Sequence, residues 1–433
     1  MKKIILNLSL IILFIPLTYS QKLLTSEEAV GIALKYNYDI LLARNIASSD
    51  TVNNTPGNAG MLPGLDINGT ESYAPSNKVN QKFSDGTLVS LSNSRSNSIN
   101  AGIGLNWTLF DGGKMFVTKR KLNEIQALGE IQYRDRVLQT IYDVILAYYD
   151  VVRQKQELAS INEVIIYNLD RVKISQTGYD AGLVPKTNLL QAKIDLNVYQ
   201  ENAINQQSII IAAKRTLNQL LGRNPEVSFE VLDSIPIGEL LDNKQLAQSL
   251  DSVNTSILAF QKKVDIARLG LKETNSLLLP KVNFSAGYSL FQSNSPNGVP
   301  VRNRTIGPTI GGTVSIPIYQ AGNAVRQIKL VKIQLQSEQY NLENMRLQMN
   351  QQLQNALTQF ENQLNLLRIE KDNAVLAKEN LEISIQRLRY GQTTSLEVSL
   401  AEGSFVDSLT RLISFEYNLK IAETKLKQLL SRL

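Results

Sequence analysis

The sequence predicts an α+β membrane protein, a duplicated unit of long coiled-coil helices and β-hairpins that supplies four strands per chain. Three observations carry this. The chain repeats itself internally, each half holds a heptad-like stripe long enough for a ~100 Å helix, and four short segments alternate apolar with polar or small residues.

In chain order the first element is a leader. Lys2 and Lys3 precede an apolar run from Ile4 to Ile15, Pro16 breaks it, and Thr18-Tyr19-Ser20 suits cleavage before Gln21. Residues 1–20 are therefore read as a secretory signal peptide and not as a membrane span. Of 45 Lys and Arg the leader removes two, leaving 43 against 39 Asp and Glu, a balance that does not argue for nucleic acid. The chain has no His and no Cys, which removes thiol nucleophiles, thiolate or imidazole metal ligands and imidazole acid–base chemistry. No Cys follows the cleavage point, so no lipid anchor is expected there. Asp143, Asp150, Asp170 and Asp195 sit at scattered spacings on helical surfaces, so no catalytic pair and no cofactor is expected. No later apolar run approaches the ~20 residues of a spanning helix, so entry into a membrane requires β-strands.

The repeat sets the domain plan. Leu62-Pro63 aligns with Leu279-Pro280 at an offset of 217, which also carries Asn37 onto Asn254. Phe110–Gly113 aligns with Tyr319–Gly322 at an offset of 209, which carries Gly182 onto Gly391 and Ala213–Gly222 onto Ala422–Ser431. Five of those last ten positions are identical. The expected organisation is a first repeat over 21–222 with a hairpin at about 65–109, a connector over 223–243, and a second repeat over 244–433 with a hairpin at about 282–318.

The helices follow from period. Leu353, Leu357, Phe360, Leu364 and Leu367, then Ala374, Ala377, Leu381, Ile385 and Leu388, form a coiled-coil seam. Ile141, Ile145, Tyr148 and Val152, then Leu158, Ile161, Ile165, Leu169 and Val172, do so in the first half. Half-length helices are expected over about Ser26–Ala59, Asn188–Leu221, Asn243–Ser276 and Glu397–Leu430, so that two of them stack along each long one.

The strands follow from alternation. Apolar positions from Ile99 to Leu109, from Val282 to Leu290 and from Ile306 to Ile318 alternate with Asn, Ser, Thr and Gly, and Leu65–Tyr73 does so with Glu71 on the wrong face. Trp107, Phe110 and Tyr319 lie at the helix-side ends, where an interfacial aromatic girdle sits. The polar stretches Ser76–Ser98 and Ser293–Thr305 are read as exposed loops. Their cations Lys78, Lys82, Arg95, Arg302 and Arg304 are assigned to solvation in preference to lipopolysaccharide phosphates. Four strands cannot close a barrel and lipid-exposed edges are forbidden. Several copies must share one, with eight strands from a dimer, twelve from a trimer or sixteen from a tetramer.

The ordered, duplicated set of motifs resembles the TolC-like outer-membrane efflux protein family over Ser26 to Leu430. Its carriers are Leu62-Pro63-Gly64-Leu65, Trp107–Gly113, Ile316–Gly322, Tyr179-Asp180-Ala181-Gly182 and Arg389-Tyr390-Gly391. The resemblance implies a homotrimer, with a twelve-stranded β-barrel in outer-membrane lipid above an α-helical periplasmic barrel. It implies the exit duct of a tripartite efflux pump or type I secretion system, fed by an inner-membrane pump through a periplasmic adaptor protein. By the same resemblance Gly182, Leu183, Val184, Gly391, Gln392 and Thr393 form the tip where adaptors dock, and Tyr179, Arg387, Arg389 and Glu397 form its gate.

Some members carry two acids on the second returning helix. The matching positions are Glu397 and Leu400, with Asn188 and Gln191 in the first repeat, so only one acid is present. Glu397 either pairs with Arg387 or Arg389 or caps its helix, and capping is preferred. The C-terminal extension that thickens the belt in some members is not expected, which leaves 223–243 to build it. The competing reading is a periplasmic coiled-coil scaffold or envelope interaction protein without a pore, which would not fractionate with outer membrane.

Overall fold

The structure, a computed structural model, describes residues 23–236, 250–296 and 301–433. The leader expected over 1–20 and the later part of the 223–243 connector lie outside them. In order, the elements are β1 (Leu23–Leu24), α1 (Ser26–Tyr36), α2 (Tyr38–Asn53), β2 (Gly64–Lys82), β3 (Leu88–Asp111), α3 (Lys114–Asp180) and α4 (Lys186–Leu220). They continue with β4 (Glu230–Val231), α5 (Thr255–Asn275), a short 3-10 turn (Ser276–Leu278), β5 (Lys281–Asn294), β6 (Arg302–Ser315), α6 (Asn323–Arg389) and α7 (Ser395–Leu429).

The long helices α3 and α6 each have 67 residues, or ~100 Å. On α6 the buried positions Leu353, Phe360, Leu367, Ala374 and Leu381 recur every seven residues. That period holds one seam against a partner as the helices supercoil. The partner is α7 along the lower part and α5 along the upper part. Helix α3 packs in the same way against α4 below and α2 above, and it also meets α5 and α7.

The duplication reaches the backbone. Gly182 (φ 70°) and Gly391 (φ 68°) end α3 and α6 in the left-handed conformation that glycine adopts without steric cost. Leu183 N–H donates to Gly178 O at 2.8 Å, and Gln392 N–H donates to Arg387 O at 2.8 Å, the six-to-one bond of a Schellman turn in both repeats. Where strand passes into long helix, Gly112 and Gly113 in one repeat and Ala321 and Gly322 in the other share positive φ.

The early helix expected as one piece over Ser26–Ala59 is two. Asn37 takes extended backbone, and its Oδ1 accepts from Asp39 and Ile40 N–H to cap α2. Its Nδ2 donates to Leu220 O at 2.7 Å, and its counterpart Asn254 caps α5 and donates to Leu429 O at 2.9 Å. Each repeat thereby fastens the end of its returning helix to the start of an upper helix. Helix α2 stops at Asn53, short of Ala59, because Pro56 removes an N–H and biases Thr55 away from helix.

The belt forms around α3. Strands β1 and β4 pair in parallel, and Leu24, Phe229 and Val231 are buried with Val144, Tyr148, Val151 and Val152. Tyr148 secures both strands, since its hydroxyl donates to Leu24 O at 2.9 Å and accepts from Leu232 N–H at 3.2 Å.

The sheet order is β2-β3-β5-β6, antiparallel throughout. Strands β2 and β3, at 19 and 24 residues, are longer than the sequence pattern suggested. The stretch Ser76–Ser98, expected as a loop, continues both strands to a turn at Phe83–Thr87, because Val79, Val89 and Leu91 still pair across the ladder. Strand β6 ends at Ser315, before Pro317, so Ile316 and Ile318 fall outside it.

Candidate functional site: sheet faces and helix tip

The ladder register sorts the sheet into two chemistries. Residues directly opposite one another share a face. One face stacks Val282 with Val314 and Phe110, then Phe284 with Trp107, Ala286 with Leu105, Leu65 and Ile310, Tyr288 with Ile103, Ile67 and Pro308, and Leu290 with Ala101 and Ile306. The other face carries Asp66 together with Asn68, Thr70, Asn100, Gly102, Gly104, Asn106, Ser285, Gly287, Ser289, Thr309 and Gly311, and all of these but Asp66 line an open concavity. The apolar band runs nine residues along β5, Val282 to Leu290. That length gives ~27 Å along a strand and ~21 Å along the normal at a ~40° tilt, close to the ~25 Å lipid-facing band of outer-membrane barrels. Glu71 falls in the first row beyond the band, opposite Ile99, where it accepts from Asn97 Nδ2 at 3.2 Å. It marks the rim and does not interrupt the band.

At the helix-side end, Trp107 lies on the apolar face and its Nε1–H donates to Met61 O at 3.0 Å. Phe110 reaches the same face because a bulge between Thr108 and Phe110 shifts its phase onto Val282. Tyr319 lies beyond β6 and is 85% exposed.

At the opposite end of the long helices the two turns present Leu183, 81% exposed, with Tyr390 and Leu396 also exposed. Gly182, Gly391 and Gln392 are exposed, and Tyr179 is partly so. Val184 folds back over Gly178, where a Cβ would lie 3.1 Å from its Cγ2. Glu397 accepts from Thr393 Oγ1, and its N–H donates to the N-cap Thr394 Oγ1 at 3.3 Å. The arginines are engaged elsewhere. Arg387 Nη2 donates to Gln392 O at 3.1 Å, and Arg389 Nη2 pairs with Asp170 Oδ2 on α3 at 2.7 Å.

Above the tip lies a buried polar cluster that apolar periodicity passed over. Arg171 on α3, 1% exposed, pairs with Asp195 on α4 and with Glu402 Oε2 on α7 at 2.9 Å. Asn168 Nδ2 donates to Glu402 Oε1 at 2.7 Å. Burial, and then the Glu402 carboxylate beside it, push the Tyr199 phenol well above its ordinary range. Val164, Asn168, Arg171 and Ser175 form a second buried stripe at helical spacing on α3. Three of its four members are polar, so the signal in the sequence was the spacing without the hydrophobicity. Tyr167 with Glu382 and Lys378 with Glu163 add further links between α3 and α6.

Among the described residues no helix is long and apolar enough to cross a membrane, and no group of acidic side chains could hold a metal ion.

With this geometry the chain matches known proteins over most of its length. Its sequence fits the outer membrane efflux protein family over residues 56–223 and 246–432. It is 24% identical over 324 residues to the outer membrane efflux protein BepC of Brucella suis biovar 1, covering 74% of this chain and 69% of the relative. It is 21% identical over 352 residues to the outer membrane protein TolC of Escherichia coli K12, covering 78% and 70%. The CmeC outer membrane channel of Campylobacter jejuni superposes with a TM-score of 0.78 at 16% identity, covering 94% of this chain and 85% of that one. BepC is an outer membrane efflux protein and CmeC an outer membrane channel. The chain belongs to the outer membrane efflux protein family, and it is an outer-membrane exit duct of tripartite efflux with a large periplasmic portion.

Proposed function

We propose that three copies of the chain close one twelve-stranded barrel in the outer membrane and continue it into a helical tunnel, catalysing no reaction. One observation carries this reading. The sheet order β2-β3-β5-β6 is repeated by the upper helices in the order α2-α3-α5-α6, each helix joined to its own strand. Lower down, α4 takes an outer and α7 an inner place, in the order α4-α3-α7-α6. At every height β2, α2 and α4 form one free margin, and β6 and α6 form the other. Unpaired strand margins cannot face lipid. Apolar side chains stand exposed on both helical margins, among them Leu190, Ile194 and Val198 on α4 and Val325, Ile333 and Tyr340 on α6. Joining one copy's margin to the next satisfies both.

The tip turns at Gly182–Val184 and Gly391–Thr393 then meet the periplasmic adaptor, which links the duct to an inner-membrane pump. Arg389 through Asp170 and Arg387 through Gln392 O hold the tip, and Tyr179 completes its gate. Glu397 belongs to its capping turn.

The test is a pair of adjacent substitutions. Ile310→Arg, on the middle row of the apolar band, is expected to cost ~2–4 kcal/mol and to deplete the trimer from outer-membrane fractions. Thr309→Arg, on the lumen face, is expected to insert as wild type. Equal insertion of both, or a native mass other than that of a trimer, refutes the reading.

A further inference from the structure

We propose that the outward face of the sheet, just above its apolar band, binds a phosphorylated glycolipid of the outer leaflet through Arg304, Arg302 and Arg95. The inference rests on the barrel reading, since it needs the apolar face turned to lipid.

Register supplies the argument. The last apolar row contains Ala101, Leu290 and Ile306. The next outward row is Glu71, Ile99, Gln292 and Arg304, and the one after it is Tyr73, Asn97, Asn294 and Arg302. Arg95 follows two residues further along β3, on the same face. Beyond this height β2 and β3 rise as a lone hairpin with two compensating bulges. One residue is added on β2 between Ala74 and Asn77, and one on β3 between Ser94 and Leu91. The β2 bulge shifts Lys78 and Lys82 onto the outward side and Val79 inward, and the β3 bulge turns Val89 and Leu91 inward to match.

All five cations thus face away from the lumen, and among the described strand residues above the band Glu71 is the one carboxylate sharing their side. A merely solvating role gives no reason to avoid one face. None of the five is ion-paired among the described residues, and all are exposed.

Height selects the ligand. Rows are ~6.8 Å apart along a strand, or ~5 Å along the normal at a ~40° tilt. Arg304 and Arg302 therefore stand ~5 and ~10 Å above the last apolar row, about the headgroup depth of a bilayer. Guanidinium groups there meet lipid phosphate with two parallel hydrogen bonds. The Asn97 and Asn294 amides beside them suit sugar hydroxyls, and Tyr73 suits the interface. That set favours a phosphorylated disaccharide lipid over a glycerophospholipid.

The experiment titrates the full-length oligomer in phosphatidylcholine nanodiscs with bis-phosphorylated lipid A, with dephosphorylated lipid A and with phosphatidylglycerol, reading bound lipid by native mass spectrometry. Bis-phosphorylated lipid A is expected to bind at least about ten-fold tighter than either of the others. The Arg302→Gln/Arg304→Gln double variant is expected to bind it about thirty-fold more weakly, two lost charges' worth. Lys329→Gln/Lys332→Gln on the periplasmic part of α6 is expected to change nothing. Equal binding of the two lipid A forms, equal binding of phosphatidylglycerol, or an unchanged double variant overturns this inference alone. A protein that fails to insert as an oligomer overturns the barrel reading and this inference with it.

Discussion

Replacing Arg171 with Met should be among the more damaging single changes in the periplasmic helices. Its guanidinium holds Glu402, itself 3% exposed, and also pairs with Asp195, so one side chain ties α3 to α4 and α7 together. Removing one partner of a buried ion pair strands the other charge, at a cost of ~3–5 kcal/mol. Asn168 still donates to Glu402 and Asp195 still accepts from Gln191, which places the expected loss near ~3 kcal/mol. The Arg171→Met/Glu402→Gln double variant leaves no stranded charge at Glu402 and should recover to within ~1 kcal/mol of wild type. Urea unfolding of the purified protein in detergent, followed by far-ultraviolet circular dichroism, reads both. The reasoning fails if the single variant is within ~1 kcal/mol of wild type, or if the double is no better than the single.

Two carboxyl groups should give opposite pH responses. Burial raises Glu273, but Lys121 and Thr118 outweigh it and hold the group below its ordinary range, so its stabilising link is present above the unfolded value of 4.5 and lost as pH falls through the lower folded one. Burial pushes Glu416 up with only Lys371 opposing, so its carboxylate costs stability at neutral pH. Glu416→Gln should raise the melting temperature at pH 7 and lose that gain by about pH 4, whereas Glu273→Gln should lower it at pH 7 and matter less in acid. At Gly222 (φ 66°) a Cβ would overlap the Tyr36 carbonyl oxygen, so Gly222→Ala should destabilise by more than the ~1–2 kcal/mol of the left-handed backbone alone. Its counterpart Ser431 (φ 52°) bonds Val253 O at 2.9 Å, and Ser431→Gly should stay within ~1 kcal/mol in the same unfolding assay because relieved strain offsets the lost bond. Asp170→Asn should release Arg389 and raise single-channel conductance in planar bilayers, and unchanged conductance would remove this pair from the gate.

The sequence alone determined whatever depends on local period and on the repeat. A seam every seven residues leaves a helix one face to bury, so α6 was legible from Leu353 to Leu381. Strict alternation permits one lipid face and one wet face, so β5 was legible from Val282 to Leu290. Glycines at 182 and 391 fixed both tip turns, because only that residue takes φ near 70° without steric cost.

Tertiary structure decided what depends on two distant segments meeting. Asn37 breaks a helix that its own neighbourhood favours because Leu220 O, 183 residues away, accepts its amide. Arg171 is buried because Asp195 and Glu402 arrive from two other helices, and no hydrophobic period announces a charge that is neutralised from afar. Lys78 and Lys82 join the three arginines on the outward face only because a bulge on β2 shifts their phase, a property of strand pairing that single-strand alternation cannot encode.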